Sequence, residues 1–126
     1  MNRKLADELI ELNRRLLDAI VSGDWATYES LCDPSLTAFE PEAQGQLVQG
    51  MEFHRFYFQH GKSLEPCNTT IIAPHVQLLG NVAVVCYVRL VQHLDHNGQH
   101  VTSRFTETRI WQKQQGGWKH VHFHRS

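Results

Sequence analysis

Three turn signals limit what this chain can fold into. Gly80-Asn81, Asn97-Gly98 and Gly116-Gly117 interrupt a C-terminal half that otherwise reads as β-structure. Between them lie residues 67–79, 82–94, 101–114 and 118–125. Successive strands joined by tight turns pair antiparallel, so this half predicts a four-strand meander. Pro74 falls inside the first of these strands. Proline cannot donate to a ladder, which places that strand at an edge or at a bulge.

The N-terminal half has a different period. Leu5, Leu9, Leu12, Leu16 and Ile20 recur at helical spacing with charges between them, which predicts one long amphipathic helix. Gly23 ends it, and Asp24 caps a short second helix through Cys32, where Asp33-Pro34 stops helical structure. Residues 35–40 read as a short strand, and residues 46–50 can pair back to it. A third helix covers 51–60 and is ended by Gly61. Helices on one face of a curved antiparallel sheet give an α+β cone, an architecture that encloses a cavity between sheet and helices.

The chain has 126 residues and reads as one domain over 1–126, large enough to bury a core without staples. Its formal charge of −1 gives no footprint for nucleic acid or for anionic membranes. No apolar run approaches spanning length, and MNRKLADELIEL mixes charges into its apolar pattern, unlike a signal peptide. Cys32, Cys67 and Cys86 are odd in number and form no CxxC pair, which points to reduced thiols in a cytoplasmic protein, each a small core residue. No motif calls for a cofactor.

Alternation along the strands singles out the arginines. Tyr87 and Arg89, then Glu107 and Arg109, then Arg125, each share a parity with apolar or aromatic neighbours. If His96-Asn97-Gly98 is a three-residue loop, Tyr87 falls opposite Glu107. If Gln115-Gly116-Gly117 is another, Gln114 pairs with Trp118 and Glu107 lies opposite Arg125. Arg89, Arg109 and Arg125 then converge on one sheet face around a single carboxylate. A two-residue loop at either hairpin breaks this parity. Buried excess positive charge calls for an anionic ligand, which arginine forks bind well. The alternative is that these arginines reach solvent or bridge a subunit interface.

The closing KHVHFHRS puts His120, His122 and His124 on the face opposite Arg125. Side chains two apart on a strand lie about 6–7 Å apart, so three in a row do not meet one ion. Packing under a second sheet, or at an oligomer contact, is the reading this spacing favours over a metal site. Nucleophile–histidine–acid triads can be assembled on paper, but no motif supports one.

Several long segments carry a family resemblance. CDPSLTAFEPEAQGQLVQGMEFHRFYF, ETRIWQKQQGGWKHVHFHRS, SGDWATYESLCDP and VCYVRLVQHLD closely resemble the association (hub) domain of calcium/calmodulin-dependent protein kinase II, and the resemblance covers nearly the whole chain. It implies a nuclear-transport-factor-like cone, in a superfamily that also holds SnoaL-like cyclases. It implies self-assembly into a dimer or larger ring rather than catalysis, and a kinase of the family as partner. It matches Arg89, Arg109 and Arg125 to deep cavity arginines, and Tyr28 and His54 to positions around that cavity. The kinase domain and calmodulin-binding segment are not encoded in these residues, which suggests a stand-alone relative or an excised domain. The loop HGKSLEPC is shorter than in the kinase hubs and lacks their tryptophan.

Two functions follow. The first is a self-assembling domain with a cavity for a small carboxylate. The second is a SnoaL-like enzyme acting on a small acidic substrate, with Glu107, His54 or Tyr87 as acid–base group and the arginines holding an oxyanion. Neighbouring arginines lower a glutamate's pKa, which counts against Glu107 as the base.

Overall fold

Asn2 starts the first helix, α1 (Arg3–Ser22), its side chain accepting from the Leu5 N–H at 3.0 Å. Gly23 ends it with φ 72°, a left-handed conformation that glycine adopts without Cβ strain, and its N–H caps the last turn. The structure is a computed structural model and describes residues 2–60 and 67–126. The expectation that Gly61 ends the third helix, and the comparison of the HGKSLEPC loop, fall outside the described residues at 61–66.

Asp24 caps α2 (Trp25–Leu31) by accepting from the Thr27 N–H. β1 (Cys32–Phe39) begins at once, so the helix stops at Leu31, before Asp33-Pro34 is reached. A short 3-10 turn (Pro41–Ala43) and β2 (Val48–Gln49) follow, then α3 (Glu52–His60). β3 (Cys67–Leu79), β4 (Val82–Leu94), β5 (His100–Gln114) and β6 (Gly117–Arg125) form the predicted meander.

The six strands make one curved sheet in the order β2-β1-β6-β5-β4-β3. Every pair is antiparallel except β1 with β6, a parallel junction made possible by the long excursion through α3 and the meander. β3 is an edge strand, with a register shift between Ile72 and His75 around Pro74. Among the described residues no helix is long and apolar enough to cross a membrane.

α1 packs across β3 and β4, while α2 packs on α1, β1 and β6. The face α1 buries is Ala6, Leu9, Asn13, Leu16, Leu17 and Ala19, with Leu5, Leu12 and Ile20 on its flanks. Burying Leu9, Leu16 and Leu17 fully contributes about 2 kcal/mol each. The inner sheet face supplies Leu36, Ala38, Ala83, Val85, Trp111 and Phe123. Of the cysteines, Cys32 is a buried core residue, Cys86 is half-buried and Cys67 is exposed on the edge strand.

Candidate functional site

Two hairpins bring the polar residues of the inner face together. Asp95 N–H donates to Gln99 O at 2.9 Å, closing the three-residue loop, and Tyr87 sits opposite Glu107. The second hairpin is tighter than expected. Gln114 pairs with Gly117 rather than Trp118, which by itself would reverse the parity of β6. A one-residue bulge restores it: Trp111 pairs with His120 and Ile110 with His122, leaving Val121 as the extra residue. Beyond the bulge, Arg109 faces Phe123 and Glu107 faces Arg125.

Glu107 is the hub of a buried network. Arg109 donates to its Oε1 from Nη2 at 3.1 Å and from Nε at 3.2 Å, and Arg89 Nη1 donates to Oε2 at 3.2 Å. The Tyr87 hydroxyl donates to Oε1 at 2.5 Å and accepts from Arg109 Nε at 3.0 Å. The Arg109 guanidinium also lies 4.4 Å from the centre of the Phe123 ring. Burial works to raise the Glu107 carboxyl, but Arg109, Arg89 and the Tyr87 hydroxyl outweigh it and hold its pKa at about 2. Burial, the largest influence, pushes the Tyr87 hydroxyl up to about 12.

Arg125 does not join that cluster. Its guanidinium pairs with the Glu42 carboxylate, lies 3.9 Å from Glu40 Oε2 and stacks 4.8 Å from the centre of Phe105. The three guanidiniums therefore do not surround one glutamate. Glu40, Glu42 and Glu107 oppose them in number, and the expected excess of positive charge is largely balanced.

A cavity of about 270 Å³ opens between the sheet and the helices. Arg89, Arg109 and Phe123 line it from the sheet and Tyr28 and His54 from the helices; Glu40, Glu42 and Arg125 add charge, and the rest of the lining is apolar or aromatic. Tyr87 and Glu107 do not line it; they lie behind the arginines and hold them in place. Neither is placed to exchange a proton with a molecule in the cavity. Tyr28 is buried against Phe58, with ring centres 4.8 Å apart, and burial raises its hydroxyl pKa. His54 Nδ1 is 3.5 Å from Glu40 Oε1, while Nε2 is buried without a hydrogen-bond partner among the described residues. Burial, then Arg109, lowers the His54 pKa to about 4, so the imidazole is neutral near pH 7.

The terminal histidines part company at the bulge. His120 turns to the inner face, fully buried between Trp111 and Phe123 at ring-centre distances of 5.4 and 5.6 Å. It does not share the outer face with His122 and His124, because Val121 adds one step to the alternation. Its Nε2 lies 3.4 Å from Arg109 Nη1, which can only donate, and its Nδ1 lies 3.4 Å from Cys32 Sγ. Burial, the largest influence, holds its pKa well below the ordinary histidine value. Thr37 Oγ1 holds His122 Nδ1 at 2.7 Å on the outer face. Among the described residues no group of three His, Cys, Asp or Glu is arranged to hold a metal ion.

Reading the sequence missed Asn13, Glu40 and Glu42, the polar residues that complete the network and the charge balance of this site. Asn13 joins the network from α1, donating to the Tyr87 hydroxyl at 2.9 Å and accepting from Trp111 Nε1 at 3.1 Å. Its signal was present: it sits between Leu9 and Leu16 on the buried stripe. Glu40 continues the inward parity of the buried Leu36 and Ala38. Glu42 has no periodic signal, since it lies on an irregular turn.

Residues 5–126 match the family described as the calcium/calmodulin dependent protein kinase II association domain. The calcium/calmodulin-dependent protein kinase type II alpha chain of Drosophila melanogaster is 51% identical over 122 residues, covering 94% of this chain and 23% of that protein. The chain thus spans about a quarter of the length of that relative. The association domain of C. elegans CaMKII superposes with a TM-score of 0.93 at 46% identity, covering 98% of this chain and 96% of that one. A nuclear transport factor 2 (NTF2-like) superfamily protein from Salmonella enterica gives a TM-score of 0.83 at 24% identity, covering 100% and 92%. At that identity the likeness concerns the fold alone.

Proposed function

The chain belongs to the calcium/calmodulin-dependent protein kinase II association-domain family, and on that premise we propose that it is a self-assembling hub whose cavity takes a small carboxylate. The observation that carries the assembly reading is the outer face of the sheet. An antiparallel sheet with one solvated face alternates apolar-in and polar-out. Here Val84, Cys86, Val88, Leu90 and Ile110 all have the outward parity and are half-buried, opposite the face on which α1 packs among the described residues. Phe39 extends the patch, 38% exposed and packed on His122 and His124. Such a face needs a cover, and family membership makes a second copy, or a kinase of the same family, the partner that fits.

The cavity reading rests on Arg89 and Arg125. Arg89 Nε is buried without a hydrogen-bond partner among the described residues, and Arg125 lies at the rim beside Phe105. A carboxylate there would gain charge-assisted bonds of about 1.5–3 kcal/mol each.

Light scattering tests assembly. Wild type should exceed the 14.6 kDa of one chain at least twofold, and Val88→Asp, which puts a charge in the uncovered face, should lower the mass while keeping the fold. A wild-type monomer at micromolar concentration removes the assembly reading. Thermal shifts test the cavity. Propionate should raise the melting temperature and propionamide should not, with Arg125→Leu weakening the response. Equal shifts from the acid and the amide remove the carboxylate reading.

A further inference from the structure

The segment leaving β1 carries two glutamates to the mouth of the cavity. Glu40 follows the inward parity of Leu36 and Ala38, and only 8% of its side chain is exposed. Glu42 takes up Arg125, the cation closest to the rim. An incoming carboxylate therefore meets two resident carboxylates before it reaches a free donor, and like charges in a low-dielectric site cannot all stay ionised cheaply.

Glu40 is the one placed to give way. The groups that face it are Arg125 from β6, Glu42 from the 3-10 turn, His54 from α3, and Arg109 and Glu107 from β5. Arg125 is shared with Glu42, Arg109 is committed to Glu107, and His54 is neutral. Burial first, then the charge of Glu42, raises the Glu40 carboxyl to about 7, against the pull of Arg125 and Arg109.

His54 completes the device. With Glu40 ionised, the His54 proton sits on Nδ1, 3.5 Å from Glu40 Oε1, and Nε2 presents a lone pair. With Glu40 protonated, the carboxyl O–H donates to Nδ1, and the imidazole proton moves to Nε2. His54 lines the cavity, and its buried Nε2, which has no hydrogen-bond partner among the described residues, then becomes a donor.

We propose that Glu40 and His54 form a proton-linked latch on this cavity: an anion binds together with one proton from solvent, which His54 Nε2 takes up as the Nδ1 proton passes to Glu40. One Nε2–H and one carboxyl O–H bond form, the Nδ1–H bond breaks, and the imidazole stays neutral. The proposal rests on the carboxylate reading of the cavity and specifies how that site is regulated.

Calorimetric titration with propionate, at about pH 6 and about pH 8 and in buffers of different ionisation enthalpy, tests it. The probe stays ionised over this range. Only the protonated fraction of Glu40 is competent, so the wild-type dissociation constant should rise about tenfold between the two pH values, with up to one proton taken up at the higher one. Glu40→Gln should bind equally well at both, because its amide donates to Nδ1 as the protonated carboxyl would. A wild-type dissociation constant that does not change with pH, while propionate still outcompetes propionamide, overturns the latch and leaves the carboxylate site standing. A pH dependence that survives in Glu40→Gln overturns the assignment to Glu40. Propionate binding no better than propionamide at either pH refutes the carboxylate reading, and the latch falls with it.

Discussion

Glu107→Gln removes the one carboxylate on which the arginine network converges, and its cost can be worked in two ways. Lowering the pKa from an ordinary 4.5 to about 2 corresponds to roughly 3 kcal/mol of stabilisation of the folded state. Breaking a buried ion pair from one side costs about 3–5 kcal/mol, because the remaining charge is left uncompensated. Here Arg109, 1% exposed, would be left with no anionic partner in the network, keeping the neutral Gln amide, the Tyr87 hydroxyl and the His120 and Phe123 rings. The two routes agree on about 3–4 kcal/mol near neutral pH. The sign of the pH dependence is fixed by the direction of the shift. A depressed carboxyl contributes fully above about pH 4.5 and loses its contribution as pH falls towards about 2. Urea denaturation of both proteins at one subunit concentration, from about pH 6 down to about pH 3, should therefore show the gap between them closing as acid is added. A variant within about 1 kcal/mol of wild type at neutral pH would refute the central role of Glu107, as would a gap that does not change with pH.

Asn13→Leu should cost about 1–3 kcal/mol in the same urea assay, because Trp111 Nε1–H loses its buried acceptor while Tyr87 keeps its bonds to Glu107 and Arg109. A midpoint equal to that of wild type would contradict this. Arg109→Leu should destabilise by about 3–5 kcal/mol, leaving Glu107 with Arg89 as its remaining cation, whereas Arg125→Leu, at the rim, should cost about 1 kcal/mol or less. Equal costs would remove the distinction drawn here between the arginine that holds the buried network and the arginine at the rim.

The helices and the meander could be read because each carries a period and a terminator: 3.6 with Gly23 and Asp24, and 2 with the three turn pairs. The parallel pairing of β1 with β6 has no such local signal, since nothing in either strand encodes a partner so distant in sequence. The meeting of Arg109 with Phe123 was expected for a reason only half right. The hairpin is one residue shorter than supposed, and the bulge at Val121 compensates for it. A bulge with no glycine leaves little trace in sequence, so the same step that rescued the arginines moved His120 to the opposite face from the one expected. Arg125 was placed by register but not by partner, because Glu42 reaches it from an irregular turn where alternation says nothing.

Stability alone does not account for this interior. A buried Arg–Glu cluster is commonly no more stable than apolar side chains of the same volume. The sheet already supplies such neighbours in Val85, Trp111 and Phe123. Yet the chain gathers three carboxylates and three guanidiniums in and behind one cavity, and matches them unequally. Glu107 is fully satisfied, with two arginines and a tyrosine. Glu40 holds only a distant share of Arg125 and a neutral imidazole, while Arg89 Nε and His54 Nε2 have no partner among the described residues. If the cluster served only the fold, the unmatched groups would be the first replaced, since each costs about 1–3 kcal/mol while unpaired. The residues that carry these groups, Arg89, His54 and Glu40, all line the same cavity of about 270 Å³, where one small anion and one proton would rebalance them together.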